Sequence, residues 1–203
     1  MTPTATLQDS SSQTAAQRQA VSAQALAAAD AKPTPSNLNV VDSRAFRQAL
    51  GHFPTGVAIV TTRCPDGRAV GLTINSFTSL SLEPPLVMWS LVNHSPSLEI
   101  FEKCSHFAIN VISQEQVPVA LGFANSQVKD KFSLVSHVDG EEGVPLLDDC
   151  VATFVCENYR QHEGGDHTLF IGRVVRHTTL TEHEPAVFHR GRFANLTTPS
   201  GDR

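Results

Sequence analysis

Gly71–Trp89 reads GLTINSFTSLSLEPPLVMW, and the way this stretch is read decides the fold. It begins as a strand, with Leu72, Ile74 and Phe77 carrying the bulk. It then runs through Thr73, Asn75, Ser76, Thr78, Ser79 and Ser81 before Pro84-Pro85 stops it and a second apolar run, Leu86 to Trp89, begins. A strand whose only task is packing does not carry so many neutral donors, because a buried hydroxyl without a partner costs about 1 to 3 kcal/mol. A bound polar ligand would supply those partners. A strand end and turn facing water would supply them equally well.

Working outward, Val57 to Thr62 is β-branched and Cys64-Pro65-Asp66-Gly67 is a hairpin signal, which predicts antiparallel pairing with Ala69 to Phe77. Upstream of these, Asp42 can cap a helix from Ser43 to about Leu50, with Phe46, Ala49 and Leu50 on one face and Gly51 placed to end it. Downstream, Leu86 to Val92 is a strand, and Ser95 or Ser97 opens a short helix through Phe101 to Lys103. Phe107 to Ile112 is another strand, and Ser113 with Gln116 forms a capping-box pattern leading a helix to about Phe123. Asn125 to Val138 reads as a loop with a helical turn around Lys131 and Phe132. Cys150 to Tyr159 and Thr168 to Thr178 are strands joined by Glu163-Gly164-Gly165-Asp166, and Ala186 to Leu196 is the last element. Many strands, a few short helices and no βαβ alternation predict a mainly β protein, an antiparallel barrel with peripheral helices.

At 203 residues the chain allows one sizeable domain. Residues 1–39 are Ala, Gln, Ser and Thr with hardly any large apolar side chain, which predicts a disordered or weakly helical tail before a domain spanning 40–203. A net charge of -5 argues against a duplex nucleic-acid binder. No run of eighteen apolar residues could cross a membrane, and no secretory signal opens the sequence. Four scattered cysteines without a CxxC pair predict free thiols in a reducing cytoplasm.

No GxGxxG follows a strand, so a flavin or nicotinamide would have to be held by something other than the usual dinucleotide fold. The absence of GxxxxGK[ST] and HExxH removes nucleotide hydrolysis and the common zinc peptidases, while a nucleophilic Ser or Cys with a His base stays open although no GxSxG elbow is present. Nine histidines invite a metal, but their spacing forms no ligand set, and no metal is expected. Gly164-Gly165-Asp166-His167-Thr168 has two readings. Two glycines let backbone approach a ligand and set an Asp-His pair at a strand mouth, where imidazole can hydrogen-bond a ligand or move a proton. The same residues also make a hairpin loop with a capping Asp and a solvated His.

Four segments carry a family resemblance: PTGVAIVTT at Pro54 to Thr62, GLTINSFTSLSLEPPLVMWSL at Gly71 to Leu91, FAINVIS at Phe107 to Ser113 and GDHTLFIGRV at Gly165 to Val174. Together, in this order, they resemble the flavin reductase family, the small NAD(P)H:flavin oxidoreductases that supply reduced flavin to two-component aromatic monooxygenases. The resemblance implies a split β-barrel with Greek-key connections, a homodimer, and FMN or FAD held at the barrel edge. It implicates Pro54, Thr55, Gly56 and Val57, then Thr73, Asn75, Ser76, Phe77, Thr78, Ser79 and Ser81, as flavin-binding residues. The segment Asn93-His94-Ser95-Pro96-Ser97 offers the Ser95 and Ser97 hydroxyls to the flavin phosphate but no Lys or Arg. The Asp166 and His167 turn, with His189, Arg190 and Phe193, is placed by the nicotinamide of NADH or NADPH, and His167 is the candidate catalytic residue. Hydride transfer between stacked rings asks the protein for positioning more than for acid or base chemistry. The implied partner is a separate flavin-dependent monooxygenase reached by diffusing reduced flavin. The alternatives are a flavoprotein that keeps its flavin and passes electrons to another acceptor, and a non-enzymatic flavin- or haem-binding module.

Overall fold

The computed structural model describes residues 41–180 and 182–197. The chain divides into two units, Met1–Ser43 and Arg44–Arg203, and the second carries all the strands among the described residues. The tail expected over residues 1–39 lies outside the described residues.

Helix α1 (Ser43–Leu50) forms as expected, but it buries none of its residues: Phe46 is 54% and Leu50 58% exposed. Twelve strands follow among the described residues: β1 (Thr55–Gly56), β2 (Ala58–Arg63), β3 (Ala69–Ile74), β4 (Thr78–Leu82), β5 (Pro85–Val92), β6 (His106–Val111), β7 (His137–Asp139), β8 (Pro145–Leu147), β9 (Ala152–Gly164), β10 (His167–Thr179), β11 (Val187–His189) and β12 (Arg192–Ala194). Helix α2 (Leu98–Lys103) lies between β5 and β6, and α3 (Val117–Ala124) follows β6. The start of α3 bears out the capping-box expectation: Gln116 Oε1 accepts the Ser113 N–H at 3.1 Å, and Pro118 occupies the first turn, where no amide proton is needed.

The main sheet runs β3-β2-β6-β9-β10-β5-β4, antiparallel throughout. Its two edge strands, β3 and β4, are joined by only Asn75–Phe77. Four Cα steps reach at most about 14 Å, whereas seven flat strands would set the edges about 29 Å apart. The sheet must therefore roll up until its edges nearly meet. The result is a split barrel whose seam is the Asn75–Phe77 crossing, in the middle of the hydroxyl-rich stretch Gly71–Trp89. The sequence predicts a single long strand from Ala69 to Phe77; the structure ends it at Ile74 and begins β4 at Thr78, because β3 pairs with β2 at one side of the sheet and β4 with β5 at the other.

Two apolar cores flank β2, which is why its residues are buried on both faces. Ala58 and Val60 face the barrel interior, where the Trp89 ring stacks on Phe170 at 4.5 Å while Phe101 and Phe107 approach it edge-on at 5.1 and 5.7 Å. Val57 and Ile59 face a second core with Phe123 and Ala120 of α3. Asn110, buried between the layers, is fully paired: its Nδ2 donates to Ile59 O at 3.0 Å, and its Oδ1 accepts the Leu147 N–H at 3.0 Å, tying in the β7–β8 hairpin. That hairpin lies in and beyond what reads from sequence as a loop. Its strands are only three residues long and carry no alternation to detect. Gly172 lets β10 cross Phe107 closely, since a Cβ there would lie 2.6 Å from Phe107 Cζ.

The four cysteines are free. Burial pushes the Cys150 and Cys156 thiols up to about 12, so both stay protonated and unreactive at neutral pH.

Candidate active site at the barrel seam

Strand register arrays the candidate residues along the barrel seam. Ala58 at the start of β2 pairs with Ile74 at the end of β3, so Thr55–Gly56 and the Asn75–Phe77 crossing leave the sheet at the same end. Thr78 pairs with Met88, Ser90 with Leu169 and Val92 with His167, and Ser76 bonds Ser90, so the mouth of β10 lies across β5 from the seam, while the end of β10 level with Ala58 through β6 and β9 is Thr179. Strand alternation puts Trp89 and Phe170 inside the barrel, so Met88, Ser90, Leu169 and His167 share the outer face as a half-buried strip. Of these only His167 is a candidate by sequence; the others carry no signal apart from their register.

The first loop has the marks of a ligand cradle. Thr55 Oγ1 is buried without a hydrogen-bond partner, and open space surrounds the position where Gly56 would carry a Cβ. An orphan hydroxyl beside bare backbone fits a planar ligand with a polar edge. Pro54 is exposed beside them. Val57 is only 3% exposed, its side chain belongs to the second core and its carbonyl accepts the Ile112 N–H at 3.2 Å, so neither its side chain nor its carbonyl is turned to a ligand.

Along the seam, part of the hydroxyl row already has protein partners. Thr73 Oγ1 donates to Ala120 O at 2.6 Å, which ties β3 to α3. Ser76 Oγ donates to Ser90 O and accepts the Ser90 N–H, both at 3.1 Å. That clasp continues the β4–β5 register by one pair through a side chain and holds the barrel seam shut. Both hydroxyls thus spend their proton on the protein and can meet a ligand only as acceptors. Phe77 packs its ring 5.6 Å from Phe154. Asn75, Thr78 and Ser79 are exposed, Thr78 Oγ1 reaching Ser79 O at 3.4 Å, and Ser81 sits at a β-bulge beside Ser79. Downstream, Ser95 Oγ accepts the Ser97 N–H at 3.3 Å, leaving the Ser95 O–H free to donate outward.

The Gly-Asp-His turn carries the clearest electrostatics. His167 Nδ1 lies 2.7 Å from Asp166 Oδ1, and this hydrogen bond, with the attraction of the imidazole, holds the Asp166 carboxyl below its ordinary range. Because the carboxylate can only accept, Nδ1 carries the proton and Nε2 is left to meet a ligand. Gly165 adopts φ +70°, which admits no side chain without strain. Beside the turn lies a depression of about 550 Å³, open to solvent and lined in part by Asn93, Leu98, Glu102, Glu163, Gly165 and Thr168.

The C-terminal segment is two strands rather than one element. β11 and β12 form a hairpin whose turn is His189-Arg190-Gly191-Arg192, and β11 pairs with β1. Phe193 packs on Phe188 at 5.6 Å in the second core. Arg190 points back to the end of α1: its N–H donates to Gly51 O at 2.9 Å and its guanidinium to His52 Nδ1 at 3.0 Å. Sequence reasoning misses His52, because nothing in the sequence links it to a turn 138 residues away. Among the described residues no three His, Cys, Asp or Glu side chains gather as metal ligands. No helix among them is long and apolar enough to cross a membrane.

The fold is thus a split barrel with a polar seam, a bare first loop and an Asp-paired histidine across β5 from that seam. Residues 50–197 match the flavin reductase like domain, and the chain belongs to that family. It is similar to SmoA of Agrobacterium fabrum, an FMN reductase (NADH), with 38% identity over 156 residues covering 77% of this chain and 87% of that protein. HsaB of Rhodococcus jostii, the reductase subunit of a flavin-dependent monooxygenase, is 37% identical over 156 residues, 77% of this chain and 79% of that one. Among solved structures, the NADH:FAD oxidoreductase SgcE6 of Streptomyces globisporus, in complex with NAD and FAD fragments, superposes with a TM-score of 0.74 at 38% identity, covering 81% of this chain and 99% of that one. Some other relatives are longer, and the chain spans 43% and 59% of two of them.

Proposed function

We propose that this protein is an NADH-dependent flavin reductase that reduces FMN or FAD and releases it to a separate flavin-dependent monooxygenase acting on an aromatic substrate. The observation that carries the reading is the array along the barrel seam of the orphan Thr55 hydroxyl, the bare Gly56 backbone, the exposed Asn75, Thr78 and Ser79 side chains and, across β5, the Asp-paired His167. Thr55, Gly56, Asn75, Thr78, Ser79 and Ser95 are the groups available to hold a flavin there. Bound flavin supplies the two-electron acceptor for the hydride of a reduced nicotinamide. The chain's own groups hold the rings and, through His167 Nε2, orient the nicotinamide end. Neutral donors rather than a cationic cage suit a ligand that must leave.

The protein acts as a homodimer in this reading, which is supported by uncovered apolar side chains on Phe46, Leu50, Phe53 and Leu82, the last 94% exposed. Four free thiols and no disulfide suit a reducing cytoplasm. The catalytic domain is taken as residues 40–203.

The test is steady-state oxidation of NADH and NADPH with free FMN, FAD and riboflavin, alongside light scattering for the oligomeric state. Rate saturation in free flavin with NADH is expected. An NADH-inert protein under every flavin would end the proposal. Within it, Ser76→Ala should raise the FMN dissociation constant about tenfold, since two hydrogen bonds of the seam clasp are lost. Quenching of flavin fluorescence measures it, and NADH use at saturating flavin should be unaltered.

A further inference from the structure

We infer that Asn93 is the positioning residue of the His167 turn, its side chain locking the turn that the β5 and β9 pairing of His167 leaves unheld at residues 165 and 166. The inference rests on the reductase reading. Asn93 is the residue after β5, and it makes three hydrogen bonds to the turn. Its backbone N–H donates to Asp166 O at 2.9 Å, its Nδ2 donates to Gly165 O at 3.2 Å, and its Oδ1 accepts from Thr168 Oγ1 at 2.9 Å. Residues 165, 166 and 168 are all gripped, so the backbone on both sides of His167 is fixed.

A second observation says why such a grip is needed. The turn is the tip of a hairpin bordered by the 550 Å³ depression, open to solvent, that Asn93, Gly165 and Thr168 share, not by a packed core. Apolar packing therefore does not set the position of the tip. Asp166 cannot set it either, being almost fully exposed and bonded to His167 alone within the turn. Asn93 in turn is anchored by the end of β5, whose Leu91 and Trp89 are buried in the barrel core. The line of support runs from the core through β5 to Asn93 and then to His167.

This differs from a role in holding the flavin phosphate, the function that the Asn93–Ser97 segment invites. With both side-chain polar atoms and the backbone N–H turned to the hairpin, Asn93 has no donor left for that phosphate except the second hydrogen on Nδ2.

The test pairs kinetics with a measurement independent of turnover. Asn93→Ala should raise KM for NADH about tenfold, from two lost hydrogen bonds, with a smaller change in kcat and an unaltered FMN dissociation constant. Built into His167→Ala, the same change should cost nothing further, because its effect passes through that imidazole. Thr168→Val, which removes one of the bonds while keeping the strand, should act in the same direction and carries the test if Asn93→Ala does not fold. In protein with 15N-labelled histidine, the Nδ1-protonated signature of His167 should be lost or averaged in Asn93→Ala. Loss of flavin binding in place of NADH use, an equal penalty with and without His167, or an unchanged His167 signal would each overturn the assignment. Should the wild type prove inert towards NADH, the reductase reading falls, and the histidine spectrum still decides whether Asn93 holds the turn.

Discussion

Trp89→Ala is expected to lower the unfolding free energy by about 3 to 5 kcal/mol, a large share of the roughly 5 to 15 kcal/mol that keeps a domain folded. Trp89 is fully buried, stacked on Phe170 and met edge-on by Phe101 and Phe107, so truncation opens a cavity among rings from β5, β10, α2 and β6 at once. Trp89→Phe should behave differently. The indole Nε1–H is buried with no partner, and an unsatisfied donor costs about 1 to 3 kcal/mol. Phenylalanine removes that donor as well as some volume, and the two effects should cancel to within about 1 kcal/mol. Urea unfolding followed by far-ultraviolet circular dichroism is the measurement, because Trp89 is the only tryptophan and its loss removes the fluorescence signal. A Trp89→Phe variant as unstable as Trp89→Ala would mean the indole N–H is satisfied.

How much of this was legible in the sequence depends on the range of the interaction concerned. The hairpin at Cys64–Gly67, the Ser113 capping box and the glycine turn before His167 are local chemistry, and each appears where the residues put it. The seam was legible only as an anomaly. A run of hydroxyls and amides interrupting a strand marks something other than packing, but the closing of the barrel there is fixed by β3 and β4 lying at opposite ends of one sheet. The hydroxyls of Thr73 and Ser76 look like ligand donors from composition; their carbonyl partners, Ala120 and Ser90, lie 47 and 14 residues away. Val57 sits in the first loop by sequence and in the core by geometry. His52 was the hardest to see, since it acts on a segment 138 residues distant and belongs to no motif, while Asn93 was visible only as the first residue of a segment read for the flavin phosphate.

The largest effect on turnover should come from His167→Ala: a fall of about 100-fold in kcat/KM for NADH, the order expected when a positioned ring ligand is misplaced. FMN affinity should not change, because the flavin-holding candidates lie on β1, the seam and the segment after β5. Asp166→Asn should fall between wild type and His167→Ala. It removes the charge on the acceptor of the Nδ1–H bond, so the imidazole is free to take the other tautomer or turn away. The pH dependence of the pair follows from the sign of the Asp166 shift. Its carboxyl is held below the ordinary range, chiefly by the hydrogen bond to His167, so the interaction is complete above the unfolded value of about 3.9 and is lost only as pH falls through the lower, folded value. Asp166 itself should therefore contribute no inflection to kcat/KM for NADH between about pH 5 and pH 8, a range that lies above that value. Comparing the pH profiles of wild type and Asp166→Asn tests this. Any inflection in that window should survive in the variant, and one that vanishes with Asp166 would mean its carboxyl takes up a proton near neutrality, against the geometry of the turn.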